Sequence, residues 1–218
     1  MAFKVAVLAS GRGSNFKAMV QAKDFGGLLE NVEFCCLITD NPAAPAIAVA
    51  KERSIPVHVL QPKDYPDRIA HDNAMLEALE KSGCDLIVLA GYMRIIKSPE
   101  LLGKFKNRII NIHPSLLPKY PGSHAQKDAF DAGEKVSGLT IHFVDASLDG
   151  GPIIYQEKVD ISSCKSGQEA ADAILRREHI AYPAVVDWFS KGMVRVAPGG
   201  KVAIDDGLAR KGPRKRQG

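Results

Sequence analysis

Two rhythms of apolar and polar residues alternate along the first half of this chain. Nearly continuous apolar runs at residues 4–9 (KVAVLA), 33–39, 56–60 and 85–90 (DLIVLA) have the length of strands, and their lack of alternation predicts burial on both faces. Between them, residues 14–23, 43–53 and 65–81 carry helical spacing. In the last of these, Ile69, Leu76 and Leu79 fall on one side and Gly83 supplies the stop. Another apolar run at 108–113 predicts a strand that ends at Pro114, which has no N–H to give to a sheet ladder.

Beyond that proline the order changes. A helix over 125–132 leads to strands at 137–144 and 153–159, joined by the turn-rich segment 145–152. A long helix over 168–190 follows, with a kink expected at Pro183. Strand–helix alternation followed by late consecutive strands predicts an α/β fold. Its sheet is doubly wound, twisted and mostly parallel with helices on both faces, and some strands are antiparallel. No repeat or low-complexity linker divides the chain, so one domain is expected over 1–192, followed by a C-terminal extension over 193–218 with a basic tail.

Composition narrows the function classes. At 218 residues, with 45% hydrophobic and 25% charged residues, the chain has the make-up of a soluble globular domain with a full core. The apolar part of MAFKVAVLAS is too brief for a secretory leader and runs straight into Gly11-Arg12-Gly13, so it reads as the first strand. No stretch reaches the length of a membrane span. Cys35, Cys36, Cys84 and Cys164 lack metal-ligand spacing, and adjacent Cys35 and Cys36 are poor disulfide partners, so a reducing, cytoplasmic setting is expected. The net charge of +4 is misleading, because Arg210, Lys211, Arg214, Lys215 and Arg216 in the tail leave the remainder at −1. A near-neutral body does not mark a nucleic-acid binder, and the tail reads as a solvated end.

The candidate chemistry sits where strands end. Along the 108–113 strand, Asn111 and His113 share a face with Ile109, while Ile110 and Ile112 point the other way. An amide donor beside an imidazole suits acyl chemistry, the amide steadying a developing oxyanion and the imidazole handling the proton. The same pair could instead be satisfied structural groups. Gly11-Arg12-Gly13-Ser14-Asn15, between the first strand and first helix, can cradle an anion with backbone N–H groups. Phe16 stands where a dinucleotide fingerprint needs its third glycine, so a single phosphate fits better. A tight turn with Ser14 capping the helix remains the alternative.

Three further features need the fold to decide them. Asp145 and Asp149 lie in a turn, with Gly150-Gly151 freeing the backbone; Asp149 can orient an imidazole only if the fold brings it to His113. Glu178 shares the core-facing stripe of its helix with Ile174, Ala181 and Val185, so it needs a partner, either a ligand or an arginine. Tyr92 and Met93, after the 85–90 strand, could wall a slot for a flat ring or belong to the core. His58, His71, His124, His142 and His179 lack metal-ligand spacing and read as structural or surface groups.

GRGSN, AGYMRI, NIHPSLLPKYPG, SLDGGP and REHIAYP occur in order, and with them the chain from about residue 3 to 190 resembles the phosphoribosylglycinamide formyltransferase family, folate-dependent enzymes of purine biosynthesis. NIHPSLLP is shared by formyltetrahydrofolate-using enzymes as a group, and the glycine loop and REHIAYP narrow the resemblance. It implies catalytic roles for Asn111, His113 and Asp149. It implies that Gly13, Ser14 and Asn15 hold the substrate phosphate, with Glu178 against the same ribonucleotide. Folate would lie against Arg68, Met93, Arg94, Ile95, Ile96, Asn111 and Asp145. The implied cosubstrate is 10-formyltetrahydrofolate, with no metal. The implied partners are small molecules, glycinamide ribonucleotide and formylfolate, with neither nucleic acid nor membrane required, and the chain would be a monomer or homodimer. Gln126 stands where the family often has a histidine, and Arg177 replaces a common glutamine beside Glu178.

Rival readings are weaker. A methionyl-tRNA formyltransferase is expected to carry a further RNA-contacting domain, and a formyltetrahydrofolate deformylase a regulatory domain ahead of the first strand. A nicotinamide-dependent oxidoreductase is disfavoured by Phe16, and a non-catalytic nucleotide-binding module leaves Asn111, His113 and Asp149 without a purpose.

Overall fold

Seven strands form one sheet, which runs across residues 57–59, 32–39, 3–8, 86–89, 109–113, 136–143 and 153–160 in that order, in the computed structural model, which describes residues 1–205. The elements alternate as β1 (Phe3–Leu8), α1 (Ser14–Asp24), β2 (Val32–Thr39), α2 (Ala46–Glu52), β3 (Val57–Val59), α3 (Arg68–Ser82), β4 (Leu86–Leu89), α4 (Pro99–Lys104) and β5 (Ile109–His113). Then come α5 (Ala125–Asp131), β6 (Val136–Phe143), β7 (Ile153–Asp160), α6 (Gly167–Ser190), β8 (Val194–Val196) and β9 (Val202–Ile204). Strands β1 to β5 are parallel, and β6 and β7 are antiparallel to their neighbours. This is the doubly wound, mostly parallel sheet that the strand–helix order predicts.

Apolar runs without alternation become strands covered on both sides. On one face, Val5, Val7, Ile110 and Ile112 pack with Phe16 and Met19 of α1 and Ile174 and Val185 of α6. On the other, Ala6, Leu8, Ile87 and Ile109 pack with Met75, Leu76 and Leu79 of α3 and Leu101 of α4. Helix α6 runs through Pro183 to Ser190, and its Tyr182 hydroxyl donates to the carbonyls of Leu89 at 2.8 Å and Ile110 at 3.2 Å, tying α6 to the ends of β4 and β5. Among the described residues, no helix is long and apolar enough to cross a membrane, and all four cysteines are free thiols.

The structure differs from the sequence reading at three places. Ile69 is 41% exposed rather than core-facing, because His71 and Asp72 take the inward positions of that end of α3. Helix α4 carries too few apolar positions to announce itself; Ser98 caps it through the amide of Leu101 at 3.2 Å and Pro99 starts it. The segment after residue 192 opens with the β8–β9 hairpin, whose Val194, Val196, Val202 and Ile204 pack against the larger core cluster. The basic residues Arg210 to Arg216 lie outside the described residues.

Candidate active site

The carboxyl ends of β1, β4 and β5 open into a cleft of about 620 Å³. Ligands in open α/β sheets bind at this edge, where the sheet stops and the following loops diverge. Of the residues predicted for the site, Gly13, Ser14, Asn15, Met93, Arg94, Ile95, Ile96, Asn111, His113, Asp145, Asp149 and Glu178 all line this cleft. Arg68 does not; its Nε sits 3.3 Å from Asp72, and its guanidinium donates to the Ile95 carbonyl behind the loop.

At the centre, strand geometry sets Asn111 and His113 on one face of β5. The antiparallel register pairs Asn111 with His142 of β6, so their side chains meet: Asn111 Nδ2 lies 3.3 Å from His142 Nε2. His142 Nδ1 is 2.9 Å from the Phe143 carbonyl. A carbonyl only accepts, so Nδ1 carries the proton, and Nε2 of the neutral ring accepts from the amide. Burial, the leading cause, lowers the proton affinity of His142 below the usual histidine range and favours that neutral form. Sequence alone reads His142 as a structural or surface group. The signal that would have found it is its sheet partner, which no local pattern reveals.

His113 is buried, and its Nε2 donates to the Tyr120 carbonyl at 2.8 Å. Its Nδ1 lies 3.5 Å from Asp149 Oδ2, so a doubly protonated ring satisfies both contacts. Asp149 Oδ2 also accepts from the Gly122 amide at 2.9 Å, and Oδ1 lies 3.7 Å from His142 Nε2. The β6–β7 loop that carries Asp149 presses close to the sheet: a Cβ on Gly151 would stand 1.9 Å from the Phe143 carbonyl oxygen. Asp145 spends its carboxylate on the loop, accepting from the Ser147 amide at 2.8 Å and from the Ser147 hydroxyl. The segment carrying Tyr120 and Gly122 is anchored by Thr140, which donates to the Ser115 carbonyl at 2.7 Å and accepts from the Leu117 amide at 3.1 Å.

One flank of the cleft is built from α1 and α6. Gly13 takes the left-handed conformation (φ 64°) at the start of α1, where a Cβ would meet Ala46 at 2.6 Å. Gly13 is the N-cap and makes no side-chain cap bond, so Ser14 does not serve as the cap of this helix. Asn15 Nδ2 donates to Glu178 Oε2 at 2.8 Å. Glu178 is 5% exposed, and its partner is this amide rather than an arginine. Burial raises the carboxyl above the ordinary range, with Asn15 pulling the other way.

The other flank is the loop after β4. Met93 is 74% exposed and Ile95 is exposed beside it, while Tyr92 is buried with no partner for its hydroxyl among the described residues. Burial pushes that phenol above its ordinary range. Arg94 is drawn to Asp40 at 2.7 Å. Gln126, at the start of α5, also lines the cleft. Among the described residues, no group of three or more histidine, cysteine or acidic side chains is arranged to hold a metal ion.

Residues 3–186 match the formyl transferase family. The chain is 37% identical over 193 residues to the phosphoribosylglycinamide formyltransferase of Haemophilus influenzae, which spans 88% of this chain and 90% of that protein. It is 42% identical over 186 residues to the protein of the same name from Bacillus subtilis, spanning 84% and 92%. Its structure is similar to glycinamide ribonucleotide transformylase 1 of Symbiobacterium toebii, with a TM-score of 0.87 and 37% identity over 93% of this chain and 94% of that one.

Proposed function

The chain belongs to the formyl transferase family, and from that membership we propose a mechanism in which its cleft residues pass one formyl group from folate to a ribonucleotide amine. The reaction is that of the phosphoribosylglycinamide formyltransferases: a formyl folate gives its formyl group to phosphoribosylglycinamide, a step of purine biosynthesis. In this reading the donor is 10-formyltetrahydrofolate and the setting is cytoplasmic.

The amine nitrogen attacks the formyl carbon, and the former carbonyl oxygen takes the negative charge of a tetrahedral intermediate. Asn111 spends one N–H on neutral His142, which fixes the amide orientation and leaves the second N–H for the oxyanion. His113, held at Nε2 by Tyr120, has one N–H left, at Nδ1; it faces Asp149 across a long 3.5 Å, so in this reading the oxyanion shares it with the carboxylate. Each well-placed donor is worth about 2–4 kcal/mol. Asp149 offsets the charge of the protonated ring and holds its orientation. The proton leaves the attacking nitrogen as the folate nitrogen takes one, directly or through water, and the bond from carbon to folate nitrogen breaks. Hydrogen bonds polarise the carbonyl, so the mechanism asks for no metal.

Gly13, Ser14, Asn15 and Glu178 take the ribonucleotide in this reading. The buried Asn15 Oδ1, without a partner among the described residues, supports that assignment as an acceptor for the ligand. Met93 to Ile96 take the folate ring, with Arg68 and Asp145 behind or beside it.

One observation carries the reading: Asp149 and His113, distant along the chain, stand 3.5 Å apart in the same cleft as Asn111. The test mixes the protein with 10-formyltetrahydrofolate, with and without glycinamide ribonucleotide, and follows loss of the formyl group. Loss only with the ribonucleotide is expected. Loss without it would mean a deformylase, and no loss in either arm a binding module; each overturns the reading.

A further inference from the structure

One fully buried carboxylate holds the loop after β4 from behind. Asp72 on α3 is 0% exposed, and burying a carboxylate is costly unless hydrogen bonds replace its water. Its Oδ2 accepts the backbone amides of Lys97 at 2.6 Å and Ser98 at 3.1 Å. Its Oδ1 lies 3.3 Å from Arg68 Nε and 3.4 Å from His71 Nδ1. Arg68, held this way, donates to the Ile95 carbonyl. At the loop's other end, the Ser10 amide donates to the Gly91 carbonyl at 3.1 Å, and the Met93 amide donates to the Ser10 hydroxyl at 2.9 Å. Between these two clasps, the side chains of Met93 and Ile95 stay exposed at the cleft.

We propose that Asp72 is a positioning residue for the formylfolate: through two backbone amides and the Arg68 guanidinium it sets the main chain at 95–98, and with it the surface that meets the cosubstrate. This rests on the reading that Met93 to Ile96 take the folate. The carboxylate presents an acceptor on each side, one towards the amides and one towards Arg68. An asparagine keeps only one of these acceptors and turns N–H against donors on the other side. Asp72→Asn therefore frees Arg68 or the amides, and the loop loses its hold either at Ile95 or at Lys97 and Ser98. Neither partner of the Asn15–Glu178 bond touches this network, so the ribonucleotide flank is unaffected.

The experiment is steady-state kinetics on the full chain. Asp72→Asn is expected to raise the KM for 10-formyltetrahydrofolate roughly tenfold, the size of one lost charged hydrogen bond. The KM for glycinamide ribonucleotide and kcat should stay within about twofold. Met93→Ala, which alters the loop from the cleft side, is measured alongside. If Met93→Ala raises the folate KM and Asp72→Asn does not, the positioning role falls while the folate location stands. If Met93→Ala raises the ribonucleotide KM instead, the folate location itself is wrong. Equal changes in both KM values, or a lower melting temperature with unchanged KM values, assign Asp72 to general structure and overturn the proposal. A second measurement needs no variant: amide exchange at Lys97 and Ser98 in the unaltered protein should slow on adding folic acid and not on adding inorganic phosphate. No slowing with folic acid counts against it equally.

Discussion

Asn15 of α1 and Glu178 of α6 are joined by a 2.8 Å hydrogen bond between two buried side chains, 163 positions apart in the chain. The bond ties the start of the first helix to the middle of the last, and both residues face the cleft. It also keeps a carboxyl in a place that disfavours its charge.

The first prediction follows from that burial. The carboxyl of Glu178 is raised in the fold above its ordinary value of 4.5. Above the unfolded value, the unfolded chain releases the proton more readily, so Glu178 subtracts stability as pH rises past it. Glu178→Gln keeps the hydrogen-bonding shape without the charge. It should melt higher than the unaltered protein at neutral pH, by about 2–4 °C for each kcal/mol relieved. The gap should close below about pH 4.5, where both chains are neutral at this position. Calorimetry at the two pH values checks the sign. The same variant should bind ribonucleotide more weakly, and an unchanged KM for that substrate would remove Glu178 from its site.

Asp149 sits at φ 51°, a left-handed conformation that asparagine also tolerates. Asp149→Asn should therefore keep the loop and lose only the charge facing His113. Turnover should fall by about 10²–10⁴, with the ribonucleotide KM nearly intact. Unaltered kcat would take Asp149 out of the mechanism.

Asn111 and His142 should behave as one unit. Asn111→Ala should lower kcat by about 10²–10³ without unfolding the chain, the cost of one oxyanion donor. His142→Phe keeps the ring but not the acceptor for the amide, and should cost about tenfold. In the double variant, the His142 change should add little to the loss from Asn111→Ala. Fully multiplying effects would show that His142 acts by a separate route, and a collapsed melting curve for Asn111→Ala would make that residue structural.

Gly151 is the tightest point of the Asp149 loop. A methyl there would meet the Phe143 carbonyl oxygen at 1.9 Å, whereas the nearest neighbour of a methyl on Gly150 is the Ser147 hydroxyl at 2.5 Å. A hydroxyl can rotate away and a strand carbonyl cannot. Gly151→Ala should lose about 1–3 kcal/mol in urea denaturation and much of its activity, with Gly150→Ala milder on both counts. Equal stability of the two variants would contradict the close approach.

Much of this site was legible before any coordinates. Period-two geometry put Asn111 and His113 on one face of a strand, and Pro114 ended that strand, because both follow from backbone covalent structure alone. The stripe of Ile174, Ala181 and Val185 likewise placed Glu178 on the buried side of α6. Gly83 ended α3 in the left-handed conformation that glycine readily adopts.

What the chain could not declare locally was who meets whom. His142 enters the site because β6 turns antiparallel beside β5 and its register brings Nε2 to Asn111. Asp149 reaches His113 because Gly151 lets the loop close on Phe143. Asp72 serves a loop some 25 positions away. Local sequence determined the strands, the helices and the residue types at their ends, since propensity and periodicity act over a few neighbours. Only the packed sheet decided the partners, because contacts between distant side chains depend on register and on the closure of the chain around a shared core.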